Sequence, residues 1–200
     1  MAKSNQVRII GGDWRSRRIS FPDHDGLRPS ADRVRETVFN WLGQDLGDQR
    51  CLDLFAGSGA LGFEALSRGA AWVVMVEKSR RVCEALRRNA ELLAAKNLQL
   101  HCTDALEFAT AAATDDAARF DVVFLDPPFR STLLTQVLPR IALLLRPRAR
   151  VYVESAAAFA PSGGWEILRR GSAGQVHYTL VTYGEQGSLP GNIRSPYARP

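Results

Sequence analysis

Leu52-Asp53-Leu54-Phe55-Ala56-Gly57-Ser58-Gly59-Ala60-Leu61-Gly62 is the stretch that decides the fold. Cys51 to Phe55 is short, mostly apolar and strand-like. Gly57, Ser58 and Gly59 force a tight turn, and Ala60 to Arg68 carries helix formers up to a stop at Gly69. In a strand–glycine turn–helix unit, missing Cβ atoms let a ligand approach the main chain, while free amides at the helix N-terminus point toward it. The same sequence also serves as an ordinary connection, so two neighbouring acids matter. Asp53 lies within an otherwise apolar strand, where a carboxylate is costly without a partner. A second apolar strand, Trp72 to Val76, ends in Glu77, about twenty residues past the first glycine, where a carboxylate can accept both hydroxyls of a ribose. The pattern fits a cofactor that carries a nucleoside.

The units that follow repeat this alternation. A helix from about Ser79 to Ala95, a strand Leu98–Cys102 and a strand Phe120–Leu125 predict a parallel, doubly wound sheet with its ligands at the carboxyl ends of the strands. Asp104, just past the third strand, falls on the same edge as Gly57 and Glu77. It can accept from an adenine amino group, cap the helix starting at Ala105, or do both. Ser131 to Leu145 reads as a leucine-rich helix and Ala149 to Glu154 as a fifth strand. Trp165–Arg170 and Gln175–Tyr183 read as a final antiparallel pair turning over Gly171–Gly174. Arg146, Arg148 and Arg150 read as solvated loop charge, and His177 receives no role.

Phe120–Leu125 runs directly into Asp126-Pro127-Pro128-Phe129. Prolines cannot continue a central strand, so they fix the backbone and leave the Pro127 carbonyl as an acceptor beside Asp126. Phe129 offers a flat apolar face. Two acceptors and an aromatic plane are what an exocyclic amine on an extruded base requires. The lone pair of such a nitrogen is delocalised into the ring, and accepting both N–H bonds favours a pyramidal, nucleophilic nitrogen. A rigid loop with Asp126 as a cap is the plainer alternative.

Two hundred residues suit one domain with a sizeable core. The net charge of +5, carried mainly by arginine, fits an anionic partner or simple codon bias. Cys51, Cys83 and Cys102 form no metal-type pair and read as small buried residues of a reducing cytoplasm. No run is long and apolar enough to cross a membrane, and no signal-peptide pattern opens the sequence. Val7–Ile10 and Arg17–Phe21 read as a hairpin turning over Gly11-Gly12-Asp13-Trp14. It carries Arg8, Arg15, Arg17 and Arg18 against the single acid Asp13, with Trp14 available to stack on a base; a solvated edge hairpin is the alternative. Ser30 can cap a helix from about Ala31 to Leu42, near whose start Arg28, Arg33 and Arg35 can reach a phosphate. Residues 184–200, rich in Gly, Pro and Ser, read as a flexible tail.

These residues resemble class I S-adenosylmethionine-dependent methyltransferases. The likeness is closer to the RsmD-type enzymes, which methylate the N2 amine of one guanine in bacterial 16S ribosomal RNA. It is carried by Arg8-Ile9-Ile10-Gly11-Gly12, Leu27-Arg28-Pro29-Ser30, Asp32-Arg33-Val34-Arg35-Glu36, Asp53-Leu54-Phe55-Ala56-Gly57-Ser58-Gly59 and Asp126-Pro127-Pro128-Phe129. Ser30 stands where the family pattern has threonine, and it keeps the hydroxyl.

The resemblance implies a Rossmann-like, seven-stranded, mostly parallel sheet with an antiparallel last strand and helices on both faces. It divides the chain into a basic hairpin arm (1–26), a methyltransferase domain (27–183) and the tail (184–200). Asp53, Gly57 and Gly59, with Phe55 and Ala56, would hold the methionine part of S-adenosylmethionine. Glu77 beside Lys78 would hold its ribose, and Asp104 with the Ala105 amide its adenine. Asp126 and Pro127 would orient the guanine amine, Phe129 would stack on the base, and no metal takes part. The arginines would meet 16S rRNA in the small subunit or a late assembly intermediate, with guanine 966 as the family's target and the protein acting in the cytoplasm as a monomer. An adenine-N6 or other amino-methyltransferase, and a non-catalytic RNA-binding assembly factor, are the rival readings.

Overall fold

The computed structural model of the chain describes residues 4–23, 31–114, 119–128 and 131–184. Arg28, Ser30, Phe129 and the tail from residue 185 onward therefore lie outside the described residues.

A two-stranded antiparallel hairpin opens the chain, β1 (Ser4–Arg8) with β2 (Arg18–Pro22). After α1 (Asp32–Leu42) the expected alternation follows: β3 (Arg50–Asp53), α2 (Ala60–Ser67), β4 (Trp72–Val76), α3 (Arg80–Leu93), β5 (Leu98–His101), α4 (Ala105–Ala112) and β6 (Phe120–Leu125). Then come α5 (Leu133–Ala142), β7 (Leu145–Ser155), β8 (Trp165–Ala173) and β9 (Val176–Tyr183). The seven-stranded sheet has the order β5-β4-β3-β6-β7-β9-β8. The first five of these strands pair in parallel, and β9 runs antiparallel to both of its neighbours. The order reverses between β3 and β6, which is where open α/β sheets leave a crevice beyond their strand ends.

Alternating side chains divide the core between the two faces. Cys51, Met75, Val122, Phe124 and Tyr152 face a cluster built with the hairpin, α1, α2 and α3. Leu52, Val74, Val123, Leu125, Val151 and Val153 face α4 and α5. A sheet covered on both faces explains why its strands read as nearly continuous apolar runs. Among the described residues no helix is long and apolar enough to cross a membrane.

Several local expectations are corrected. The last hairpin turns at Gly174, and Gly171 pairs with Tyr178 inside β8. β7 begins at Leu145 rather than Ala149, so Arg146 and Arg150 sit on a strand. Arg146 pairs with Asp121 at 3.0 Å. Arg150 donates to Gln49 at 2.8 Å and to the Leu42 carbonyl, tying β7 to the end of α1. Cys51 and Cys83 are buried as expected, but Cys102 is exposed.

Candidate functional site

The turn after β3 is shaped by packing as much as by its own flexibility. Gly59 has φ 79°, and a Cβ there would stand 2.6 Å from Leu86 Cδ2 and 2.7 Å from the Phe63 ring. Side chains rarely adopt that φ, so packing and conformation exclude them together. Leu54 N–H donates to the Phe124 carbonyl at 3.2 Å and Ala56 N–H to the Val76 carbonyl at 2.9 Å. The loop is thus fastened to the tips of both neighbouring strands. Asp53, 1% exposed, accepts from Gly62 N–H at 3.0 Å and so clamps β3 to the first turn of α2. Burial pushes its carboxyl up to about 7. The Gly62 amide counters that shift, the Glu77 charge adds to it, and the Phe55 amide again counters it.

Glu77 is half-buried at the end of β4 and already engaged. Its Oε2 accepts from Gly57 N–H at 3.1 Å and its Oε1 from Ser79 N–H at 2.7 Å. Its own N–H donates to the His101 carbonyl at 3.0 Å, which fixes the end of β4 to that of β5. Lys78 beside it is exposed. Asp104 caps α4: one oxygen accepts from Leu106 N–H at 2.7 Å and from Glu107 N–H at 3.4 Å. Ala105 is buried in that first turn.

Asp126 is half-buried, Pro127 buried and Pro128 exposed beyond β6. The Pro128 carbonyl accepts from the Ser131 N–H at 3.0 Å and from its hydroxyl at 2.7 Å. The register places Phe124 beside Asp53 on one flank and Tyr152 on the other. The diproline corner therefore follows the strand next to the glycine loop. Glu154, unremarked from the sequence, ends the buried run of β7 and accepts from the Tyr152 hydroxyl at 2.7 Å. Its signature matches that of Asp53 and Glu77, an acid closing an apolar strand.

The arginines divide into two groups. Arg35 is corrected from RNA contact to core residue, since its side chain is wholly buried. It donates to Asp32 at 2.6 Å and to the Arg8 carbonyl at 2.9 Å, and lies 3.5 Å from Glu64. Arg68 pairs with the same Glu64 at 2.9 Å and stands 4.9 Å over the Phe39 ring. Glu64 also accepts from Ile10 N–H at 2.8 Å. The hairpin is consequently docked, not an extended arm. Val7, Ile9, Ile19 and Phe21 are buried, and Trp14 packs against the core instead of standing ready to stack. Gly12, at φ 70°, would put a Cβ 1.7 Å from the Ser67 carbonyl oxygen. Arg8 pairs with Asp32 at 3.2 Å, and Arg17 donates to the Leu92 carbonyl at 2.6 Å. Arg15, Arg17, Arg18 and Arg33 are exposed.

The residues fit an adenosyl cofactor with a cationic centre. A buried carboxylate with a raised pKa is stabilised by a nearby cation, and half-buried Glu77 retains acceptor positions beyond the two amides it binds. Among the described residues no three His, Cys, Asp or Glu gather as a metal ion would require.

Comparison with known proteins gives three findings. The profile of a family described as conserved hypothetical protein 95 matches residues 7–182. Ribosomal RNA small subunit methyltransferase D of Escherichia coli K12 is 44% identical over 192 residues, covering 92% of this chain and 93% of its own. The solved yhhF protein of Escherichia coli superposes with a TM-score of 0.80 at 41% identity, over 91% of this chain and all of its own.

Proposed function

The chain belongs to the family of ribosomal RNA small subunit methyltransferases D, and from that premise we propose that it methylates the N2 amine of one guanine in 16S rRNA, using S-adenosylmethionine. The observation that carries the reading is the adjacency of the glycine loop after β3 and the Asp126-Pro127-Pro128 corner after β6, two neighbouring strands at the point where strand order reverses.

S-adenosylmethionine supplies an electrophilic methyl group on a sulfonium. Asp53 keeps the loop in shape through Gly62 and would offer its carboxylate as counter-charge to that cation. Gly57 and Gly59 let the main chain come close, with Phe55 and Ala56 completing the wall. Glu77, held by two amides, would accept the ribose hydroxyls, with Lys78 beside it; Asp104, which caps α4, would read the adenine with the Ala105 amide. Asp126 and the Pro127 carbonyl hold the two N–H bonds of the amine. Asp126 then receives the proton that nitrogen sheds once it carries the methyl group. Phe129 stacks on the base, which must leave its own stack first. Positioning of this kind lowers a barrier by up to roughly 7–11 kcal/mol.

The target is guanine 966 of an assembled or nearly assembled small subunit, met by a monomer in the cytoplasm. Arg15, Arg17, Arg18 and Arg33, with Arg8 and Arg28, supply the phosphate contacts. Labelled-methyl transfer to small subunits from cells lacking the enzyme tests the reading. Label in N2-methylguanine is expected. Label in adenine, or none with cofactor bound, defeats it.

A further inference from the structure

α3 begins beside the site and ends beside the hairpin. Ser79, directly before its first turn, donates its N–H to Glu77 Oε1 at 2.7 Å. Arg17 of the hairpin donates to the Leu92 carbonyl in its last turn at 2.6 Å. Between these points the buried Asn89 side chain holds the β2 main chain twice. It accepts from Ser20 N–H at 3.1 Å and donates to the Ser20 carbonyl at 2.9 Å. β2 therefore lies along α3 and runs from its end back towards the site.

The outer surface of α3 carries two rows of side chains at three- and four-residue spacing. Arg80, Glu84, Arg87 and Glu91 form one row, with charges of alternating sign. This row faces β5, since Arg87 and Glu91 line a cavity with Leu98 and Leu100. Arg81, Ala85, Arg88 and Leu92 form the other row, which borders Asn89 on the hairpin side and holds no acid. Glu84 stands one turn from arginines of both rows and cannot offset them all. Arg81 and Arg88 are exposed, and among the described residues neither has an ion-pair or hydrogen-bond partner. Two turns of helix set Arg81 about 10 Å from Arg88, and one turn more reaches Leu92, where Arg17 is held.

With exposed Arg15 and Arg18, these residues make a cationic strip from the end of β4 to the hairpin, where Asp13 is the only acid. Positive charge repeated along a line with no acid in the row suits a phosphate backbone. An extruded base arrives attached to such a backbone. We propose that Arg81 and Arg88 form, with Arg17, a phosphate track on α3 that binds the 16S rRNA backbone leading away from the target base. The proposal rests on the RNA reading above, and it joins α3 and the hairpin into one binding surface.

The test measures binding of the wild-type protein and two double variants, across salt concentrations, to small subunits and to protein-free 16S rRNA. Arg81→Gln with Arg88→Gln is expected to lower the slope of log K against log salt by about 1.4–1.8, the value of two phosphate contacts. Cofactor affinity and thermal midpoint are expected to stay unchanged. Arg80→Gln with Arg87→Gln removes the same charge from the other row of the same helix and is expected to leave the slope as it is. Equal losses from both pairs mark a general effect of net charge and overturn the proposal, as does an unchanged slope once Arg81 and Arg88 are replaced. A loss seen on whole subunits but not on protein-free rRNA makes a ribosomal protein the partner and overturns it too. A wild-type protein that binds these RNAs but labels no guanine defeats the functional reading instead.

Discussion

The Gly57 amide donates to the Glu77 carboxylate across 3.1 Å, joining the glycine turn to the tip of the next strand. One acid thereby shapes the turn and, in the proposed reading, also holds the ribose. Glu77→Ala removes both, and cofactor dissociation constants are expected to rise at least about tenfold, since a hydrogen bond to a charged group contributes about 1.5–3 kcal/mol. Isothermal calorimetry reads the change, and unaltered affinity would show that Glu77 only props the turn.

In the proposed reading Asp126 acts on the nucleophile and not on the donor. Asp126→Ala is expected to lower kcat by about a hundredfold to a thousandfold, the range for removing one preorganised polar group, while cofactor affinity stays. Substantial residual turnover on small subunits would remove the amine-orienting role.

Asp53 is expected to make cofactor binding depend on pH. Its folded carboxyl lies near 7, above the ordinary 3.8. Between those values the native state keeps a proton that the unfolded chain has lost, so this residue's contribution to stability falls as pH rises from about 4 to about 7. A bound cation favours the ionised form, so cofactor affinity is expected to rise from pH 6 to pH 8. Asp53→Asn should flatten both slopes, measured by thermal melts and calorimetry. A variant as pH-sensitive as the parent refutes the assignment.

Glu64 balances two buried guanidinium groups, Arg35 and Arg68. Glu64→Leu is expected to cost about 3–5 kcal/mol, because it leaves buried charge without its counter-ion. Urea denaturation gives the number. A loss below about 1 kcal/mol would mean the ion pairs are incidental to stability.

Exposed Arg15 and Arg18 lie on a docked surface, so their loss should spare the fold. Changing both to Ala is expected to weaken RNA binding and lower the slope of log K against log salt by about 0.7–0.9 per lost phosphate contact. Filter binding across salt concentrations tests it, and an unchanged slope makes the hairpin charge a matter of solubility.

The sheet was legible because its rules are local. Cys51–Phe55, Trp72–Val76 and Phe120–Leu125 each show an apolar strand closed by a turn or an acid; the last two form over those residues, and the first forms over Arg50–Asp53, two residues short of the expected end. What escaped depended on distant partners. Arg35 resembles an exposed helix arginine until Glu64, far along the chain, meets it inside the core. Trp14 looked available because nothing nearby in sequence covers it, whereas the core does. Glu154 ends the buried run of β7, and only the register shows that it stands level with Asp126. The motif Arg8–Gly12 carries the family likeness as read, and the structure adds the local reason for its glycines, which admit Ser67 and Arg68.

That wedge limits how the gene can be recombined. Ser67 and Arg68 close the same helix whose first turn is clamped to β3 below the glycine loop, and they receive the N-terminal glycine pair. A chimera that takes residues 4–42 from one homologue and the remainder from another inherits mismatched halves of a single joint. Working crossovers must therefore fall after Arg68, so that the hairpin travels with the helix it grips.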